Sequence, residues 1–108
     1  MVNKFDVQDT LKKIKMLVCI EKKYKVSKHT IIDYMNTGKC SFGDIEHCIM
    51  NANTINGINK DEKQPFAMDR LLYTIKGKSK IGLPFYTTGK FVEEDEKEIY
   101  FFVTAHEN

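Results

Sequence analysis

The stretch of sequence that decides the fold runs from Leu83 to Ala105 and reads LPFYTTGKFV (83–92), EEDEK (93–97) and EIYFFVTA (98–105). Both apolar arms are rich in aromatic and β-branched residues, which favour a pleated, half-buried surface. The charged link between the arms cannot lie in a core, so it predicts the tip of a hairpin. The stretch is therefore predicted to form two central strands of a sheet.

Alternation along these two strands assigns their side chains to two faces. Residues 86, 88 and 90 share one face of the first strand, and residues 100, 102, 104 and 106 are expected to share one face of the second. If the register places these sets on the same side of the sheet, Tyr86, Lys90 and His106 lie on a common surface. Arg70 or Lys76 on the neighbouring strand would then complete a basic and aromatic patch.

The chain before this hairpin is predicted to be mostly helical. Apolar residues recur at helical spacing over about residues 7–20. After a short extended piece at 24–26, Ser27 is expected to cap a second helix that ends near Gly38. Ser41 is expected to cap a third helix, in which Asp44 completes a variant of the capping box.

The remaining elements predict an α+β fold. The period changes to two at 70–76, which indicates a strand, and residues 54–58 favour a short edge strand. The polar loop between them is expected to be mobile. The predicted architecture is two or three N-terminal helices packed on a three- to four-stranded antiparallel sheet. A length of 108 residues, 42% of them hydrophobic, predicts one domain spanning residues 1–108.

Composition disfavours several classes of protein. No apolar run approaches the ~20 residues that span a membrane, and residues 1–9 lack a secretory segment, so a cytoplasmic protein is expected. The three cysteines form no C-x-x-C pair, which predicts free thiols rather than disulfides. Cys40, Cys48 and His47 could be imagined as metal ligands, but no metal or cofactor is predicted. The chain also lacks a glycine-rich nucleotide-binding loop.

Charge is unevenly distributed although the net charge is only +2. Residues 70–92 contain one arginine, four lysines and no acidic residue, whereas residues 93–108 contain six acidic residues and one lysine. Such segregation predicts a surface that faces a polyanion. Ordinary solvated faces of a lysine-rich chain remain the alternative.

Short motifs resemble a family of small bacterial proteins of poorly assigned function. The segment from Tyr24 through Met35 resembles a strand followed by [ST]-x-H-A-x-x-R-M. Gly38 and residues 41–46 resemble R-G-[IV]-[ST]-x-x-D-[IV]-x-x-[AVL]-[IL]. Residues 82–90 resemble G-x-P-[LF]-[YH]-[VT]-x-[GV]-K, and residues 102–107 resemble a closing [IV]-T-[AV]-[HY]-[ER]. Tyr34 and Thr37 stand where the motifs have arginine, and one residue is inserted between His29 and Asp44.

That family is similar in organisation to the BrnT- and RelE-type toxins of bacterial toxin–antitoxin pairs. The resemblance implies a compact α+β endoribonuclease that cleaves messenger RNA and is silenced by an antitoxin protein. It spans about residues 24–107.

Metal-free cleavage of RNA needs a base for the 2′-hydroxyl, an acid for the leaving 5′-oxygen and cations around the phosphorus. Histidine suits acid–base work near neutral pH, and lysine and arginine suit the phosphate. The candidate catalytic residues are His106, Lys90, Tyr86 and Arg70. The candidate RNA-binding residues are Lys76, Lys78, Lys80 and His29.

Each candidate also has a structural interpretation. Lys90 can be a solvated lysine, Tyr86 a packing aromatic, and His106 part of a fraying terminus. His29 can make a local hydrogen bond, and Arg70 can pair with Asp69 or Glu46. The leading hypothesis is therefore an RNA-cleaving toxin, with two alternatives. One is a non-catalytic module of the same fold that binds protein or RNA, and the other is an immunity or regulatory protein whose acidic 93–98 tip engages a basic partner.

Overall fold

The computed structural model describes residues 4–64 and 66–107, with the backbone alone for residues 4–6. Three helices come first. Helix α1 (Lys4–Lys15) continues into a π-helical turn (Met16–Ile20), α2 (Lys28–Thr30) continues into a second one (Ile31–Met35), and α3 spans Phe42–Met50. The strands are β1 (Tyr24–Val26), β2 (Gly57–Lys60), β3 (Leu71–Lys78), β4 (Pro84–Glu94) and β5 (Lys97–Glu107).

The sheet has five strands in the order β1-β5-β4-β3-β2. Strand β1 runs parallel to β5, and the other neighbours are antiparallel. The predicted α+β class is confirmed, but the three- to four-stranded antiparallel sheet is wrong in strand number and direction. The error has a physical reason, because β1 is only three residues long and pairs with a strand more than seventy residues away, starting at Tyr24 and Tyr100.

The hairpin of β4 and β5 is confirmed, with a turn tighter than the charged link suggested. Asp95 and Glu96 both have positive φ, at 52° and 63°, and they alone separate the two strands. Two consecutive residues of this kind form the turn whose twist suits a two-residue hairpin.

A β-bulge at Val103 changes the faces predicted for β5. Gly89 pairs with Phe102, but the next residue, Thr88, pairs with Thr104, so Val103 has no partner on β4. An extra residue reverses the alternation that follows it. Residues 100 and 102 therefore face the helices, whereas residues 104 and 106 face the opposite side with residues 86 and 88. The expectation that all four of these β5 residues share one face is wrong.

The bulge is held in place by the start of α2. Ser27 caps this helix as predicted, since its Oγ accepts from the backbone N–H of Thr30 at 3.2 Å. The same hydroxyl donates to the carbonyl of Val103 at 2.7 Å. Thr30 is fully buried, and its hydroxyl also approaches this carbonyl, at 3.4 Å. The N-terminus of α2 thus satisfies the carbonyl that the bulge removes from the strand ladder.

The core lies between the helices and one face of the sheet, and we call the opposite face the outer face. The largest fully buried apolar side chains are Ile14, Val18, Ile45, Ile49, Ile75, Phe85, Tyr100 and Phe102. Gly89 makes room for Tyr100, because a Cβ at this glycine would lie 2.3 Å from the tyrosine ring. The predicted capping box of α3 is confirmed between Ser41 and Asp44.

The loop from Asp61 to Arg70 crosses one end of the outer face. Asp61 is 2% exposed, and its carboxylate accepts the backbone N–H of Ala67 at 2.7 Å. The backbone N–H of Met68 donates to the carbonyl of Phe91 at 2.8 Å. The loop is therefore attached to the sheet at Asp61 and Met68, and the mobility expected of its polar part stays a prediction.

Within residues 4–64 and 66–107, no helix is both long and apolar enough to cross a membrane.

Candidate functional site

Three rings form a stack at the open end of the outer face. The centroids of Tyr34 and His106 lie 4.8 Å apart, with 29° between their planes. The centroids of His106 and Tyr86 lie 5.5 Å apart, with 28° between their planes. The rings of His29 and Tyr34 form a T-shaped contact, with their centroids 5.9 Å apart. We call Tyr34, Tyr86, His106 and His29 the aromatic cluster.

Sheet register and α2 together assemble the aromatic cluster. Tyr86 and His106 are direct cross-strand partners, and the bulge at Val103 puts His106 on the same face as Tyr86. Tyr34 comes from the π-helical turn of α2, whose start is fastened to that bulge. The Tyr34, Tyr86 and His106 side chains are all half-buried, so their rings are held by packing yet remain accessible.

The cluster has polar contacts that fix its orientation. Thr88 donates its hydroxyl hydrogen to the Tyr86 oxygen at 2.9 Å. The Nδ1 atom of His106 lies 2.7 Å from the carbonyl oxygen of Glu107. If Nδ1 carries the proton in this contact, Nε2 is left as the imidazole nitrogen available to a ligand.

One of the predicted basic residues is placed beside the cluster. Lys76 is exposed and is the cross-strand partner of Tyr86. Lys78 lies two residues further along β3, also exposed. Lys80 instead lies at the start of α3, where its backbone N–H donates to Asp44 and its side chain passes over Gly43. The three lysines therefore do not form one patch.

His29 belongs to the cluster but is already engaged with a carboxylate. Its Nδ1 lies 2.7 Å from an oxygen of Asp33, one turn further along α2, and both side chains are about half exposed or more. The local hydrogen-bonding role considered for His29 is thus present in the structure. It leaves Nε2 of the ring without a partner in the described part of the chain.

Lys90 does not lie in an open patch with Tyr86 and His106. Its side chain is 3% exposed, and its Nζ lies 3.2 Å from Asp61 Oδ2 and 3.2 Å from the carbonyl oxygen of Lys63. Burial alone would raise the pKa of Asp61, but the bonds from Ala67 and Lys90 outweigh it and hold that pKa below its usual value. The ammonium is neutralised inside the protein, so the prediction that Lys90 meets phosphate on an open surface is wrong.

Arg70 lies at the other end of β3. It is six positions from Lys76, which corresponds to about 20 Å along a strand. Its guanidinium carbon lies 4.2 Å from the centroid of Phe66, and it pairs with neither of the carboxylates considered for it. Asp69 accepts from Tyr73, and Glu46 accepts from Lys22 and Tyr24. Arg70 is therefore not brought together with the aromatic cluster.

Tyr34 is the residue that sequence reasoning missed. Its spacing with Ile31 and Met35 is that of a packing residue on the apolar face of a helix, and the side chain is half-buried. A signal was present, because Tyr34 occupies the position at which the resembled motif has arginine. An aromatic residue at that position supplies a stacking surface instead of a charge.

The acidic tip is partly neutralised within the protein. Glu94 pairs with Lys25 on β1, and Glu98 pairs with Lys13 on α1 at 2.9 Å. Asp95 and Glu96 are exposed at the turn. The tip therefore tethers the hairpin to β1 and α1, in addition to carrying negative charge.

The described residues contain no group of three or more histidine, cysteine, aspartate or glutamate side chains that could hold a metal ion. Cys40 and Cys48 are buried free thiols, and burial raises the pKa of each to about 11. Because metals bind the thiolate, these side chains are poor ligands near neutral pH.

Comparison with known proteins found no family model that matches this chain, and no curated protein or solved structure that is significantly similar to it.

Proposed function

We propose that the protein binds single-stranded RNA on the open end of the outer face. The observation that carries this proposal is the stack of Tyr34, His106 and Tyr86 with Lys76 directly opposite Tyr86. Unpaired bases stack on aromatic rings, and a neighbouring lysine neutralises the phosphate that joins them. This corresponds to the RNA-binding alternative of the sequence analysis, with Tyr34 added and without Lys80. Lys90 and Arg70, which were candidate catalytic residues, do not belong to this surface.

A second candidate is a metal-free endoribonuclease that uses the same surface. It is favoured by two imidazoles in one cluster, because the rings of His29 and His106 both contact the ring of Tyr34. One imidazole would take the proton of the 2′-hydroxyl as that oxygen attacks phosphorus. The other would give a proton to the departing 5′-oxygen, leaving a 2′,3′-cyclic phosphate. Lys76 would stabilise the charge that develops on the phosphate.

The resemblance to BrnT- and RelE-type toxins supports this second candidate. His29 and Tyr34 lie within one short motif and His106 lies within the closing motif, and the three rings meet in one cluster. A toxin of this kind would work in the cytoplasm and would be silenced by an antitoxin protein. Such a partner would have to cover the aromatic cluster or hold RNA away from it.

RNA binding is tested by titrating the protein into a fluorescently labelled single-stranded octanucleotide and following anisotropy. Replacing Tyr86 by leucine removes one stacking surface, which is worth about 1–3 kcal/mol per base and lowers affinity roughly 5- to 150-fold. Phe42→Leu is the matched control, because Phe42 is an exposed aromatic on α3 outside the cluster. Equal affinities for the wild type and Tyr86→Leu would remove the cluster as the binding surface.

Cleavage is tested separately, by incubating the same RNA with the protein in the presence of EDTA. The nuclease candidate requires products with 2′,3′-cyclic phosphate ends, and it requires His106→Ala to abolish them even at protein concentrations at which that variant saturates the RNA. Induced expression should also arrest bacterial growth, and His106→Ala should relieve the arrest. Salt-sensitive binding without cleavage would leave the RNA-binding module as the function.

A further inference from the structure

A cavity lies beside Lys76, at the edge of the sheet. It is a cavity of about 490 Å³ between the C-terminal end of α3 and the edge of β3. Its polar lining consists mainly of His47, Asn51, Asn53, Asn56, Lys76 and Lys78, and no carboxylate contributes to it. The volume falls within the range of about 300–1,000 Å³ found for small-molecule sites.

The carboxamide of Asn56 is fixed by the edge of β3. Strand β2 pairs with β3 only as far as Thr74, where the backbone N–H of Asn56 donates to the Thr74 carbonyl at 2.8 Å. Beyond that point the Asn56 side chain supplies the acceptor that a longer β2 would have provided, since its Oδ1 accepts the backbone N–H of Lys76 at 2.7 Å. The Nδ2 hydrogens have no partner in the described part of the chain, so they are donors available to a ligand.

The carboxamide of Asn51 is fixed through its nitrogen, whereas that of Asn56 is fixed through its oxygen. It is the residue at which α3 ends, and its Nδ2 donates to the carbonyl of His47 at 2.9 Å. Its Oδ1 is therefore left as an acceptor. The cavity thus offers a donor from Asn56 and an acceptor from Asn51, each oriented by a bond to the backbone. Paired donors and acceptors of this kind recognise the edge of a nucleobase.

We infer that this cavity holds one nucleotide of the bound RNA, with its base against Asn51 and Asn56 and its phosphate between Lys76 and Lys78. The inference rests on the proposed function, because it places this nucleotide next to those stacked on the aromatic cluster. Lys76 joins the two sites, since it lines the cavity and is also the cross-strand partner of Tyr86. The carboxamides select the base, whereas the lysines bind any phosphate.

The cavity is tested directly with the four nucleoside 5′-monophosphates, added one at a time to isotopically labelled protein. One of them should shift the backbone amide signals of Asn51, Asn53 and Gly77 in a saturable manner and at lower concentration than the other three. Asn51→Ala should weaken that nucleotide roughly 5- to 150-fold and abolish the preference. Lys78→Ala should weaken all four equally.

The matched control is Asn36→Ala, because Asn36 is also an exposed asparagine at which a helix ends. It should leave all four affinities unchanged.

Equal shifts with inorganic phosphate alone would overturn base recognition, and the absence of any shift would overturn the site. An octanucleotide that binds without shifting these amides would overturn the inference and leave the proposed function standing. If one mononucleotide binds in preference to the others but the octanucleotide does not bind, the cavity is a nucleotide site and the proposed RNA-binding surface is refuted.

Discussion

Removing the charge of Lys90 should destabilise the protein severely, although lysine substitutions on a sheet are usually tolerated. The Lys90 and Asp61 side chains are 3% and 1% exposed, and Nζ lies 3.2 Å from Oδ2. At an effective dielectric constant of about 20, this separation corresponds to roughly 5 kcal/mol of attraction. Removing one member of a buried pair costs about 3–5 kcal/mol, because the other charge remains buried.

We therefore expect Lys90→Met to lower the free energy of unfolding by about 3–5 kcal/mol, measured by urea denaturation and circular dichroism. Lys76→Met is the matched control, since Lys76 is an exposed lysine on the neighbouring strand, and it should change stability by less than about 0.5 kcal/mol. Because a loss of this size can unfold the single variant before denaturant is added, the variant that also carries Asp61→Asn is measured as well. It removes both charges and should recover most of the loss.

The pair also predicts how stability depends on pH. Since the pKa of Asp61 is held below its unfolded value, its contribution is complete above the unfolded pKa of about 3.9. It is lost as the pH falls through the lower pKa of the folded state. The double variant should therefore lose less stability than the wild type in this acid range. Wild-type stability in Lys90→Met, or no recovery in the double variant, would refute the account of a buried, mutually neutralised pair.

Three further substitutions test the packing around β4 and β5 by the same denaturation assay. Tyr100→Phe should keep or raise stability, by up to about 1–3 kcal/mol, because the buried Tyr100 hydroxyl has no hydrogen-bond partner in the described residues; a clear loss would reveal an unrecognised partner. Gly89→Ala should cost at least about 1–3 kcal/mol, since the new methyl group would overlap the Tyr100 ring, and Tyr100→Leu in the same chain should relieve part of that cost. Ser27→Ala should cost about 1–2 kcal/mol by removing the helix cap and the bond to the bulge, and a neutral result would show that the bulge does not depend on it.

The helix caps and the central hairpin could be predicted from the sequence, because interactions between neighbouring residues determine them. Ser27 and Ser41 were identified as caps because a side-chain oxygen at that position satisfies nearby backbone N–H groups. The central hairpin followed from its two aromatic arms and charged turn. Tyr86 and His106 could be predicted to pair once two things were known, the hairpin and the face of the sheet to which each side chain points.

The faces themselves could not be obtained from alternation alone. A strict period of two puts Tyr100, Phe102 and His106 on one side, and only the unpaired Val103 separates His106 from the two core residues. Nothing in the letters FFVTAH marks the bulge, because its cause lies elsewhere, in the Ser27 hydroxyl that binds the Val103 carbonyl. Tyr86 and His106 could therefore be named as neighbours from the sequence, but the bulge that brings them together could not.

The burial of Lys90 was unpredictable for a similar reason. Its position on β4 is that of an outer-face residue, and the outer face is open at Tyr86. Whether the same face is covered four residues later depends on the loop that begins at Asp61. That coverage rests on a contact between residues twenty-nine positions apart, and a loop of polar residues gives no periodic signal.

The pairing of β1 with β5 has a consequence for the chain during its synthesis. Tyr34 leaves the ribosome long before His106, so the ring stack is absent from every nascent or truncated chain that stops short of the last strand. The hydrogen bond from the Ser27 hydroxyl to the Val103 carbonyl is likewise absent until residue 103 has been synthesised. Whatever the stacked rings do to their ligand, they can do it only after translation has passed residue 106 and the first strand has met the last.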